Sequence, residues 1–201
     1  RVAGTALLSP PAAVTGLSLT IGWVGPKAVT GMAPQLTIEN AKGVKILNKV
    51  AMPSVAGEEA LYEYTFDRIK AADWLPGQVA TVTVQEDTIG ALETGTIFVE
   101  RAHGKLLMQE VVKAGDKVRI QLAGDSGLTP AASLYFDDVK IAGPTPMEKK
   151  TAEGSLTTFE YKVPEDIDKV VGIGNPMTVL ITEEFTGLFE KGTFIFTATS
   201  L

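Results

Sequence analysis

The chain has 201 residues, 45% hydrophobic and 21% charged, a composition suited to a folded protein with one large core or two small ones. Its formal net charge of −6 argues against a phosphate backbone or an anionic membrane surface as partner, so no nucleic acid is expected. Cysteine is absent, which removes disulfides and thiolate chemistry together, and no stretch reaches the ~18 consecutive apolar residues that would span a membrane.

The chain starts at Arg1 with no methionine and no charged-then-apolar leader, as expected of a processed protein or a piece of a longer one. The first stretch, "RVAGTALLS", reads as a short strand able to pair with its own domain or with the sheet edge of a neighbour. "LSLTIGW" then alternates strictly, with Leu17, Leu19, Ile21 and Trp23 on one face, the period of a half-buried antiparallel strand. The following loop, "GWVGPKAVTGM", is more apolar than an exposed loop needs. Its Trp23, Val24, Val29 and Met32 either cap the core or form an interface with a neighbouring copy.

"TFDRIKAADWLPG" is the nearest approach to a helix, and Pro76 limits it to one turn crossing between sheets. "EDTIGALETGTIFVE" (86–100) reads as a turn bracketed by Gly90 and Gly95 and closed by the strand "TIFV". "VERAHGK" follows with no Gly/Ser or Pro spacer, so a stiff tandem is expected, with the lone His103 packed in the linker.

Beyond this point the pattern starts again. An offset of 97 residues puts Glu63 on Glu160, Tyr64 on Tyr161, Glu86 on Glu183, Gly90 on Gly187, Glu93 on Glu190 and Gly95 on Gly192. Two copies of one domain, 1–101 and 102–201, is the economical reading. Strands in the second copy are expected near 104–109, 116–123, 132–137, 146–151, 155–163, 176–182 and 191–199, separated by turns such as "AGDSGLTP" and "AGPTP". The fold class is therefore all-β, two tandem immunoglobulin-like β-sandwiches.

"KAGDKVRIQLAG", "LYFDDVKI", "FEYKVPED" and "MTVLITEEFTGLFEKGTFIFTAT" together resemble the immunoglobulin-like repeats of bacterial and archaeal surface-layer and other cell-surface proteins. The likeness is carried by Gly115, Asp116, Tyr135, Phe136, Asp137, Val163, Pro164, Gly187, Gly192 and Phe194. In the first copy, Phe66-Asp67 stands where Val-Pro would be. The resemblance implies an exported, structural or adhesive protein located outside the cell and brings no catalytic residue with it.

The chemistry agrees with a non-enzyme. One histidine and seven scattered serines form no nucleophile-and-base constellation, and "VGIGNP" lacks the third glycine and the helix of a phosphate cradle. The carboxylates carry the functional expectation, since Glu86-Asp87 and Glu183-Glu184 recur at the start of the same turn. They hold turn amides, or they bind calcium. Sandwiches in series would bring Asp125, Glu183 and Glu184 toward Glu39, Asp67 and Asp73, an oxygen-rich junction suited to that ion unless Arg68, Arg101 or Lys105 neutralises it.

The outer pole of the second copy presents Asp137 and Asp138 as further interface candidates. Self-association, head to tail or through edge strands, in a surface layer or filament is the leading expectation. An adhesive or carbohydrate-binding module is the alternative. Sugar binding is disfavoured by Trp23 and Trp74 at non-equivalent positions and by tyrosines that mostly alternate into the cores.

Overall fold

A computed structural model describes residues 2–123 and 127–197. The chain divides into two compact units, Arg1–Arg101 and Ala102–Leu201, each an immunoglobulin-like sandwich with its own core.

In the first unit, β1 (Ala6–Leu8), β3 (Leu19–Val24) and β6 (Leu61–Phe66) form one sheet. The facing sheet runs β2 (Ala12–Val14), β8 (Ala91–Glu100), β7 (Val79–Glu86), β4 (Gln35–Glu39) and β5 (Lys45–Ala51). All neighbours are antiparallel except β2, which lies parallel to β8. The period-two residues meet between the sheets. Ile21 and Trp23 from β3 face Leu36, Ile38, Val82, Val84, Ile97 and Val99, all within one contiguous core. The expected helical turn is α1 (Ala71–Trp74), closed by Leu75 in the left-handed conformation. It buries Trp74 edge-on against Phe66, ring centroids 5.3 Å apart.

The second unit repeats this plan with more strands. β9 (Gly104–Leu107), β11 (Lys117–Ala123), β15 (Leu156–Lys162) and β14 (Glu148–Glu153) form one sheet. β10 (Val111–Lys113), β17 (Leu188–Thr197), β16 (Pro176–Glu183), β12 (Ala131–Phe136) and β13 (Val139–Pro146) form the other. Phe159, Met177, Phe194 and Phe196 fill the middle of its core. With no cysteine in the chain, these apolar layers carry the stability, at about 1.5–3 kcal/mol per large side chain fully buried.

Several expectations are corrected. "AGPTP" is not a turn but the body of β13, an edge strand. Gly143 is required there because a Cβ would run into the Ala132 carbonyl oxygen, next to an irregularity in the β12–β13 register. The three-residue β10 was not visible in the pattern, since it pairs in parallel with a strand some 80 residues away. In the first unit the strand corresponding to β14 is reduced to one bridge, Ser54 to Tyr62. Of its two expected pairings, "RVAGTALLS" makes the one within its own unit, supplying β1 with Ala6 opposite Val24.

Gly95 does not bracket a turn. The turn occupies 87–90, and Gly95 sits inside β8, where a Cβ would lie 2.8 Å from Leu7 Cδ2. Its twin Gly192 gives the same room to Leu106 and Met108. The repeated glycine lets the first strand of each unit close over the last.

Candidate functional site

The repeated acids are built into the backbone. Glu86, 2% exposed at the end of β7, accepts from the Ile89 amide at 3.0 Å and from the Ala33 amide at 3.1 Å. One carboxylate thus shapes the β7–β8 turn and ties it to the β3–β4 loop. Burial opposes ionisation of Glu86, but the amides of Ala33 and Ile89 and the Thr88 side chain outweigh it and hold the carboxyl below its ordinary range. Glu183, 4% exposed at the end of β16, accepts from the Thr186 amide and the Thr186 hydroxyl, both at 2.8 Å. The second members of the two pairs differ. Asp87 and Glu184 are exposed, and Asp87 accepts from Gln85 Nε2.

A second repeated acid fastens each unit's first strand to its last. Glu93 in β8 accepts from the Thr5 hydroxyl at 2.7 Å, and Glu190 in β17 accepts from the Gly104 amide at 3.0 Å. His103 is an exposed side chain 3.6 Å from Glu190, not a packed linker residue. Glu160 in β15 lies on the outer face of its sheet among Arg119, Lys117 and Lys150, at 2.8, 3.1 and 3.8 Å. Burial works against its charge, yet the Arg119 and Lys117 hydrogen bonds prevail and its carboxyl titrates low.

Of the residues proposed to ligate calcium, Glu39, Asp67 and Asp73 belong to the first unit and Glu183 and Glu184 to the second. Asp125 lies outside the described residues. Asn40 brings two stretches of the first unit together, since its side chain caps the 40–44 turn and donates to the Asp73 carbonyl at 2.9 Å. Among the described residues, no group of three or more acidic or histidine side chains is placed to hold a metal ion.

Two of the apolar loop candidates, Trp23 and Met32, are core residues. Trp23 is fully buried and Met32 is 6% exposed. Both crowd Gly25, where a Cβ would lie 2.7 Å from Met32 Cε, and neither is available as a contact surface. Val29 packs against the same core, and Val24 is the half-buried last residue of β3. Asp137 and Asp138 are exposed and form the whole β12–β13 hairpin loop, both with positive φ (45° and 62°).

Three of the sheet edges, β5, β13 and β14, are poorly suited to lateral pairing. β5 carries Lys45 and Lys49, the latter at φ 52°. β13 carries Pro144 and Pro146, and every residue of β14, "EKKTAE", is exposed.

One feature went unrecognised in the sequence. On the outer face of the second unit's five-stranded sheet, Tyr135, Asp138, Thr178, Leu180, Phe189 and Lys191 line a groove of about 240 Å³. The signal was present in the period, because Leu134 and Val179 point inward and their neighbours must point out.

No family model and no curated protein matches the chain. Among solved structures, it aligns with an I-band fragment of titin at 17% identity and a TM-score of 0.32, over 98% of this chain and 66% of that one. A second titin fragment aligns at 12% identity and 0.34, over 98% of this chain and all of that one. The polymeric immunoglobulin receptor ectodomain of a teleost fish aligns at 10% and 0.39 with the same coverage. At such scores the likeness carries no argument, and the assignment of the fold rests on the strand order itself. No helix among the described residues is long and apolar enough to cross a membrane.

Proposed function

We propose that the chain is a non-enzymatic structural protein of the cell exterior, a self-assembling subunit or fragment of a surface layer or extracellular filament. The observation that carries this reading is the use made of the repeated carboxylates. Glu86 and Glu183 fix the same turn, and Glu93 and Glu190 fasten the same pair of strands. The chemistry preserved between the two copies is therefore architectural, and reacting groups are not what the repeat duplicates.

The lysines of β5 and the prolines of β13 disfavour added strands at those two edges. Calcium belongs to the same proposal through the exposed carboxylate of Glu184 at the second unit's β16–β17 turn.

Sedimentation velocity over a wide concentration range, with and without calcium, tests the reading. Concentration-dependent growth supports it, and a strict monomer under every condition overturns it for this chain. A rise in Tm with calcium that Glu184→Ala abolishes assigns the ion. Glu184 is the clean probe because Glu183 already holds Thr186.

A further inference from the structure

The two units share one fold, so residues that differ at matched positions mark what one copy does and the other does not. Strand register gives the match. Tyr135 pairs with Thr178 as Glu39 pairs with Thr81, and Leu180 pairs with Lys191 as Thr83 pairs with Thr94. Phe189, opposite Thr182, corresponds to Leu92, opposite Gln85. On this face the first unit presents Glu39, Thr83, Leu92 and Thr94 where the second presents Tyr135, Leu180, Phe189 and Lys191. Neither set contributes to a core. Both sets carry a large apolar side chain that solvent reaches, Leu92 at 62% and Phe189 at 54% exposed, but only in the second is it joined by a further apolar residue and an aromatic one, Leu180 and Tyr135.

The hairpin loop differs as well. In the first unit Asn40 is 8% exposed and committed to its own turn through Lys42 and Val44. In the second, the two-residue loop is Asp137-Asp138, both left-handed, where Asn-Gly is the low-strain choice. Asp138 lines the groove instead.

We propose that this groove binds a saccharide, its sugar ring resting against the Phe189 and Tyr135 rings and the Leu180 floor. The lining chemistry selects that class. Apolar walls and floor match the C–H face of a pyranose. Asp138 accepts from ring hydroxyls, Lys191 donates to them, and Thr178 does either. Asp138 and Lys191 supply one charge of each sign, and neither takes part in an ion pair among the described residues. The site is therefore neutral overall and polar at its rim, which suits an uncharged ligand rich in hydroxyls. A purely apolar ligand would leave Asp138, Lys191 and Thr178 without partners. The volume, about 240 Å³, accommodates one sugar ring. The binding role stands independently of assembly.

The test is amide chemical-shift mapping of the whole chain with cello-, chito-, manno- and galacto-oligosaccharides at millimolar concentration, where weak binding is visible. The reference variant transplants the first unit's face, Tyr135→Glu with Leu180→Thr and Lys191→Thr, residues that the same fold already carries at matched positions. At least one oligosaccharide is expected to shift amides around residues 135, 180, 189 and 191, and the transplant to weaken that binding at least about tenfold with Tm nearly unchanged. Asp138→Asn, which tolerates the left-handed turn, is expected to weaken binding without unfolding. Shifts confined to other surfaces, undiminished binding by the transplant, or no shift with any of the four series overturns the proposal.

Discussion

Glu183 distinguishes a carboxylate that holds a turn from one that holds a metal. In Glu183→Ala the buried Thr186, 1% exposed, loses an acceptor for both its amide and its hydroxyl, each bond 2.8 Å long. A hydrogen bond to a charged group contributes about 1.5–3 kcal/mol, and admission of water recovers part of it, so a net loss of about 2–4 kcal/mol is expected. For a unit of this size that lowers Tm by roughly 10–25 °C. Glu183→Gln keeps one carbonyl acceptor and loses only the charge assistance, about 1 kcal/mol.

Differential scanning calorimetry reads both variants, with a Thr186→Val cycle isolating the coupling, expected at about 1–3 kcal/mol. The turn-holding role is refuted if Glu183→Ala falls within about 0.5 kcal/mol of the parent. It is refuted equally if Glu183→Gln matches the alanine loss and both losses vanish when calcium is removed, because the carboxylate would then be acting on a metal.

Further outcomes follow from individual residues. Gly143→Ala forces a side chain into φ +87° and against the Ala132 carbonyl, so a loss of about 2–4 kcal/mol is expected by urea denaturation. Tyr161 has a buried hydroxyl with no hydrogen-bond partner among the described residues, and burial pushes its phenol pKa up. Tyr161→Phe is therefore expected to raise stability by about 1 kcal/mol, measured by the same titration. Glu86 and Glu160 titrate lower folded than unfolded, where the carboxyl lies near about 4.3. Between the two values the unfolded chain holds more protons, so their contribution is complete above about pH 5 and fades as pH falls through the folded values. Glu160→Gln is expected to flatten that acid limb in Tm measured from pH 6 to pH 3, and an unchanged slope would remove the Lys117–Arg119 account.

The repeat, the all-β class and most inward faces were legible in residue order alone. Alternation in a strand such as "VRIQL" is a local consequence of the pleat, and the turn glycine Gly90, at φ +67°, answers a local backbone need. The pairing of β7 with β8 and of β16 with β17 was legible for the same reason, since a short turn leaves neighbouring strands little choice. The remaining features depend on partners far apart in the chain. Gly95 is explained by Leu7 and Glu93 by Thr5, contacts across nearly 90 residues that no local pattern encodes. β10 and β13 escaped notice because a three-residue parallel strand and an edge strand with two prolines have no clear period of their own. Trp23 pointed inward by its alternation, and only packing against Met32 and Gly25 excludes it from a surface. Tyr135 is the converse case. Its outward direction was present in the alternation, but a groove arises only when β12, β16 and β17 align Tyr135, Leu180 and Phe189 on one face. Alternation fixes a side chain's face, and sheet register fixes its neighbours.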